Sequence, residues 1–276
     1  TAGGNIVTAP TGGVFSATTG STFTISESID SLAGGDITIG YGGTVSGATK
    51  TGTVLFNAAN NITGGTIHVV NGATLSVGNT NQIGSAAMSL EGGSLVTSGA
   101  LAATNVTVSG ASSLIASGGS RTFNNLTMTP GATLTANAAD SNNYASTFNG
   151  TTTLDGVNTF ITPRFPRNTL TLGQITGTGA FVKDGVGSAT VNYNGGDVAF
   201  TGDTLVNAGT LTWARSGFSG SSNPVRFGTG VLRLNGGQFA LGTSGSGVIQ
   251  FMNDVSVGPN GGRIDGATAA NQSDQQ

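Results

Sequence analysis

No cysteine occurs in the 276 residues, which excludes disulfides, thiolate metal sites and thiol nucleophiles. The single histidine, His68, rules out any site that needs two imidazoles. Charge is scarce as well: Lys, Arg, Asp and Glu make up 8% of the chain, against about 25% in an average soluble domain. The nine Lys and Arg are scattered and the formal net charge is -3. No basic stripe is available to neutralise phosphates, so nucleic acid is not an expected partner. No run approaches the ~18 apolar residues of a membrane span, and no membrane insertion is expected.

What is present is glycine, 48 residues of it, together with regularly spaced Thr, Val, Ile and Leu. Mean hydropathy is +0.10. Disordered chains combine low hydropathy with high net charge, and this chain has neither. It can bury a core, one built of small and branched residues with few aromatics (6%).

The sequence repeats itself. A turn residue, Gly or Ala, small residues and then a large apolar residue recur as Asn71-Gly72-Ala73-Thr74-Leu75 and Glu91-Gly92-Gly93-Ser94-Leu95. The same phrase returns as Ser109-Gly110-Ala111-Ser112-Ser113-Leu114 and Pro130-Gly131-Ala132-Thr133-Leu134. With Leu154 added, Leu75, Leu95, Leu114 and Leu134 form a series of nearly constant step. Alternating triplets precede each phrase: Ile67-His68-Val69, Met88-Ser89-Leu90, Val106-Thr107-Val108 and Leu126-Thr127-Met128. Such alternation marks half-buried strands, and no segment carries a convincing 3.6-residue period.

A period of about 20 residues holds three short strands and three turns, so the expected fold is all-β, a right-handed parallel β-helix with coils of about 20 residues. About 13 such coils would stack into a rod. A pair of antiparallel β-sandwiches is the alternative. Residues 1–36 are expected to form first coils or an exchangeable arm, 37–266 the β-helix, and 267–276 a polar tail. The absence of an initiating Met or a leader pattern suggests a processed or excised segment. An irregular loop is expected near 138–168, where Thr162-Pro163-Arg164-Phe165-Pro166-Arg167 cannot donate fully to a central ladder.

Chemistry-bearing residues are few. Arg164 and Arg167 stand on that loop as an anion or carboxylate contact, or simply as exposed basic tips. Trp213 with Arg215 reads either as an exposed platform for a sugar face or as a coil cap. Asp184, Asp197 and Asp203 are the nearest approach to the paired carboxylates of a polysaccharide hydrolase, with Lys183 beside them as the base a lyase would want. Lys183-Asp184 also reads as an ordinary turn. Gly-Gly-Asp at 34–36 and 195–197 lacks the tandem pattern of calcium-binding repeats. His68, between Ile67 and Val69, is expected to point outward. These readings imply no cofactor, no metal and no catalytic residue.

Residues 175–211 resemble the autotransporter-associated β-strand repeat of bacterial surface proteins. The resemblance rests on Gly177-Thr178-Gly179-Ala180-Phe181-Val182-Lys183-Asp184-Gly185-Val186-Gly187 and on Phe200-Thr201-Gly202-Asp203-Thr204-Leu205-Val206-Asn207-Ala208-Gly209-Thr210-Leu211. Ala189, Val191 and Leu205 depart from the family phrase, and the other coils match it only in style. The resemblance implies a right-handed β-helical passenger on a bacterial surface with no catalytic residues. The expected role is a non-enzymatic extracellular subunit of a fibre, sheath or matrix that pairs with copies of itself through its ends. A monomeric adhesin stalk that binds glycan or host protein is the alternative, and a carbohydrate-active enzyme comes third.

Overall fold

The computed structural model describes residues 6–266 except 32–33, 46–47, 140–141, 165–167, 193–197, 219–222 and 246–248. Apart from one 3-10 turn, Thr80–Gln82, the regular structure among the described residues is all strand. Among the described residues every strand pair is parallel but one, the hairpin of Tyr41–Val45 with Ala48–Lys50. The chain winds as a β-solenoid of about 10 turns with about 23 residues per turn.

From Arg121 to Phe218 each coil lays one strand on each of three faces in turn, and the coils from Thr66 up to Arg121 have strands on faces one and two only. Face one carries nine strands, from Gly13–Phe15 to Ala199–Phe200. Face two carries eleven, from Thr22–Ile25 to Val255–Val257. Face three carries seven, from Arg121–Phe123 to Arg263–Asp265. A three-stranded sheet of Ile6–Thr8, Ile29–Ser31 and Asn61–Ile62 belongs to the first coils. At the ~4.8 Å spacing of paired strands, eleven strands stack over about 50 Å.

The alternation read from sequence follows from this geometry, because successive side chains on a strand point to opposite sides. Inward residues stack in columns. On face one Ile37, Ile67, Met88, Val106 and Leu126 lie in register, all buried. On face three Phe123, Phe148, Leu172, Val191, Trp213 and Leu241 do the same. The core is therefore less purely aliphatic than composition suggested. Phe160 stacks on Phe181 with centroids 4.6 Å apart, and Phe227 meets Phe200, Trp213 and Phe239 within 5.6 Å. On face three one outward column is uncharged and β-branched: Thr122, Thr147, Thr171, Thr190 and Thr212 stack without a break. Such residues fit a pleated, half-exposed surface, which explains how a chain so poor in charge keeps a polar exterior.

Two expectations are corrected. The coil length is not uniform. On face two Leu75 pairs with Leu95 and Leu95 with Leu114, close to the expected step, but Phe23 pairs with Val54 and Leu134 with Phe160 across longer coils. Consequently the leucine series breaks after Leu114, which pairs with Ala136, while Leu134 pairs with Ser112. Leu154 lies on a different face, beside Met128. Second, the stretch 138–168 is no single loop. It contains Tyr144–Phe148, Thr152–Leu154 and Val157–Ile161, one strand for each face. Residues 6–31 hold four strands, each paired in parallel with a later strand. Residues 267–276, expected as a tail, lie outside the described residues.

Candidate functional site

Among the described residues the sequence-derived candidates do not converge. Trp213 is buried (1% exposed) in the face-three column against Phe227, so its ring offers no surface on which a sugar could stack. The reading of an exposed platform is corrected: the ring is core, because Trp213 continues the inward phase of Val191. Arg215 continues the strand Thr210–Phe218, and its side chain lies outside what the structure describes, as does Arg167 altogether. Arg164 is exposed.

The carboxylates around 184–203 also serve local roles. Asp184 accepts the Gly185 amide at 2.7 Å, closing its own turn. Asp203 accepts the Val231 amide at 2.9 Å and pairs with Arg233 at 3.0 Å. The amide bond, then the arginine, holds its carboxyl below the usual range. Asp197 lies outside the described residues. Lys183 points inward, in register with Phe160 and Val206, and is fully buried. Its ammonium donates to the carbonyls of Asp184 at 2.6 Å, Gly185 at 2.7 Å and Ala208 at 3.2 Å. Three donors meet three acceptors, so the group ties one turn to the next coil and has no opening to a substrate. Arg121 heads the other inward column of face three in the same manner, donating to the Thr97, Ser117 and Ser120 carbonyls. Burial pushes its pKa down.

The titratable residues that do come together lie elsewhere, outside face one near its first coils. His68 projects outward from Thr66–Val70, as its position between Ile67 and Val69 requires. Glu91, at the end of the next strand, sits 2.5 Å from His68 Nδ1 and accepts the Ser89 hydroxyl at 2.8 Å. Asp36, from the coil before, places its Oδ2 3.6 Å from His68 Nε2 and accepts the Thr66 amide at 2.8 Å on Oδ1. Burial by itself raises the Glu91 carboxyl. The hydrogen bonds from His68 and Ser89, with the charge of His68, outweigh it and hold the group below its ordinary value.

Close backbone packing sets this geometry. Gly12 has φ +94°, and a Cβ there would lie 1.9 Å from the Asp36 carbonyl oxygen. The Gly13 amide donates to that same oxygen at 3.0 Å. The first coil thus presses against the second, and Asp36 is held at the rim of a groove of about 400 Å³. Thr11, Gly12, Gly13, Val14, Thr38 and Val70 complete its lining with the three titratable residues. Among the described residues no cluster of three or more metal-ligating side chains has geometry suited to an ion.

These features define a parallel β-solenoid with a polar groove on its side. No family model matches the chain, and no curated protein or solved structure shows significant similarity to it.

Proposed function

We propose that the chain is a non-catalytic structural rod of a bacterial cell surface or extracellular matrix, assembled end to end with further copies of itself. What carries this reading is the state of the two outermost coils. Val255 and Val257 continue the inward columns of Leu232 and Leu234, and Ile264 continues that of Phe239. Yet these three are 43%, 61% and 41% exposed, because among the described residues nothing stacks on them. At the opposite edge Phe23 occupies the same inward phase as Val54 and is 43% exposed.

Among the described residues both edges are parallel strands paired on one side, with backbone groups directed along the rod. A second copy in the same orientation extends the eleven-stranded face two, which runs from one end of the described rod to the other, and covers apolar side chains at both ends. Such a contact is head-to-tail and does not close, so it propagates as a filament. The resemblance of residues 175–211 to a passenger-type repeat agrees with an extracellular location. The scarcity of charge and of cationic residues suits a durable, protease-resistant material.

Electron microscopy and light scattering over a range of concentrations test this. The expected result is filaments with an axial repeat of about 50 Å per subunit, lost in Val257→Lys and Ile264→Lys while the β circular-dichroism signal persists. Single short rods at every concentration would overturn self-assembly and leave the monomeric stalk as the surviving role.

A further inference from the structure

We propose that the groove over Asp36, His68 and Glu91 binds an amino sugar in its ammonium form. Three side chains from three successive coils meet here, in a chain that has only twelve acidic residues and one histidine. They are not loose surface charges. The Thr66 amide fixes Asp36, Ser89 fixes Glu91, and Glu91 fixes the imidazole, so the set is pre-organised before any ligand arrives.

The electrostatics select the sign of the ligand. Of the nine residues that line the groove, two are carboxylates and none is Lys or Arg. The groove therefore carries a charge of -2 with a neutral imidazole and -1 with an imidazolium. It repels uronates and phosphorylated sugars and attracts an ammonium group. Carboxylates are pure acceptors with four lone-pair sites each. Asp36 spends Oδ1 on Thr66 and Glu91 spends Oε1 on His68 and Ser89, which leaves acceptor capacity at the rim.

The remaining lining suits the rest of a sugar. The Thr11 and Thr38 hydroxyls and the backbone of Gly12 and Gly13 offer donors and acceptors to ring hydroxyls. Val14, 59% exposed, gives an apolar wall for the C–H face of a ring. The volume falls in the ~300–1,000 Å³ range of small-molecule sites. A simple polyamine would use the carboxylates and leave the hydroxyls and the apolar wall without partners.

His68 is the only histidine of the 276 residues, so its imidazole resonances report on this groove without assignment ambiguity. Titration with glucosamine, below the pKa of its amine, is expected to shift them saturably. Glucose should bind at least tenfold more weakly, and glucuronate and ammonium chloride should produce no saturable shift. Glu91→Gln and Asp36→Asn keep the shape and one acceptor oxygen each, and both should weaken glucosamine by roughly fivefold or more. Thr38→Val, which leaves the charged set intact, should weaken glucose and glucosamine alike. Equal shifts from glucosamine and ammonium chloride, binding of glucuronate as tight as that of glucosamine, or no saturation at all would each overturn the proposal. The groove reaches the edge strand Gly13–Phe15, where a second copy would stack, so the titration is run on Val257→Lys, which removes end-to-end assembly from the opposite end of the rod.

Discussion

Gly202→Ala should destabilise the second half of the solenoid by at least about 3 kcal/mol, far beyond the ~1 kcal/mol typical of a point substitution. The reason is spacing. Gly156, Gly179, Gly202 and Gly230 occupy the turn between faces one and two in successive coils, and these turns stack directly. A Cβ on Gly202 would lie 2.1 Å from the Gly179 carbonyl oxygen and 2.4 Å from its carbon. On Gly179 it would lie 2.5 Å from the Gly156 oxygen, and on Gly230 2.2 Å from the Gly202 oxygen. All these neighbours are backbone, so no side chain can swing aside, and relief requires parting two coils along the ladder. Gly131→Ala is the contrast. Its Cβ would meet nothing within 4 Å, and only its φ of +76° opposes substitution. That strain costs roughly 1–2 kcal/mol. Urea unfolding followed by the fluorescence of Trp213, the one tryptophan, reads both variants. A Gly202→Ala protein within about 1 kcal/mol of the parent would show that the stacked turns are not close enough to demand glycine.

That glycine column also marks what could be read from the sequence. Composition and alternation were enough for the solenoid, since each coil must repeat the same inward phase. The run from Leu75 through Leu95 to Leu114 is a true column because the coils between these leucines are nearly equal in length. The phase was lost where a turn lengthens without altering the local pattern. Between Leu134 and Phe160 the coil is longer, and Leu154 happens to stand where the shorter step would end, although it serves another face. A fixed period cannot distinguish such a coincidence from a column. Trp213 was ambiguous for the opposite reason. Its strand pattern, Leu211-Thr212-Trp213, pointed inward, but an isolated indole beside an arginine invites a surface reading until Val191 is seen beneath it.

The groove was legible only in part. That His68 faces outward followed from its two apolar neighbours. Its meeting with Asp36 and Glu91 did not, because one lies a coil before it and the other a coil after, at unequal separations along the chain. The hairpin Tyr41–Val45 with Ala48–Lys50 lengthens the intervening coil and hides the register. What brings Asp36 into place is a backbone contact at Gly12 and Gly13. No side-chain pattern encodes it. The residues that looked chemical and are described, Lys183, Asp184 and Asp203, fasten turns. A lysine in a motif turn carries the same letter whether it caps carbonyls or serves a substrate.

Lys183 nevertheless leaves a measurable trace in the pH dependence of stability. Burial lowers its pKa to about 8, a shift the nearby Asp184 only partly opposes. In the unfolded chain the group titrates near the ordinary lysine value of about 10.4. Between these two values the unfolded state binds more protons than the folded one, so stability rises with pH across that window. Below about pH 8 both states are protonated and the cost of the buried charge is carried in full. From pH 7.5 to 9.5 the expected gain is about 2 kcal/mol. Trp213 stands in the adjoining coil and reports on the same region. Lys183→Met should abolish the pH dependence, because no titrating group remains in the core at that point. It should also be less stable than the parent throughout, since the Asp184, Gly185 and Ala208 carbonyls lose a charged donor they cannot replace. A buried acceptor left without its donor costs roughly 1–3 kcal/mol. If stability were flat or falling between pH 7.5 and 9.5, the ammonium would be bound tightly enough by its three carbonyls to offset its desolvation. Lys183 would then count as a net stabiliser of the coil rather than a charge the fold tolerates.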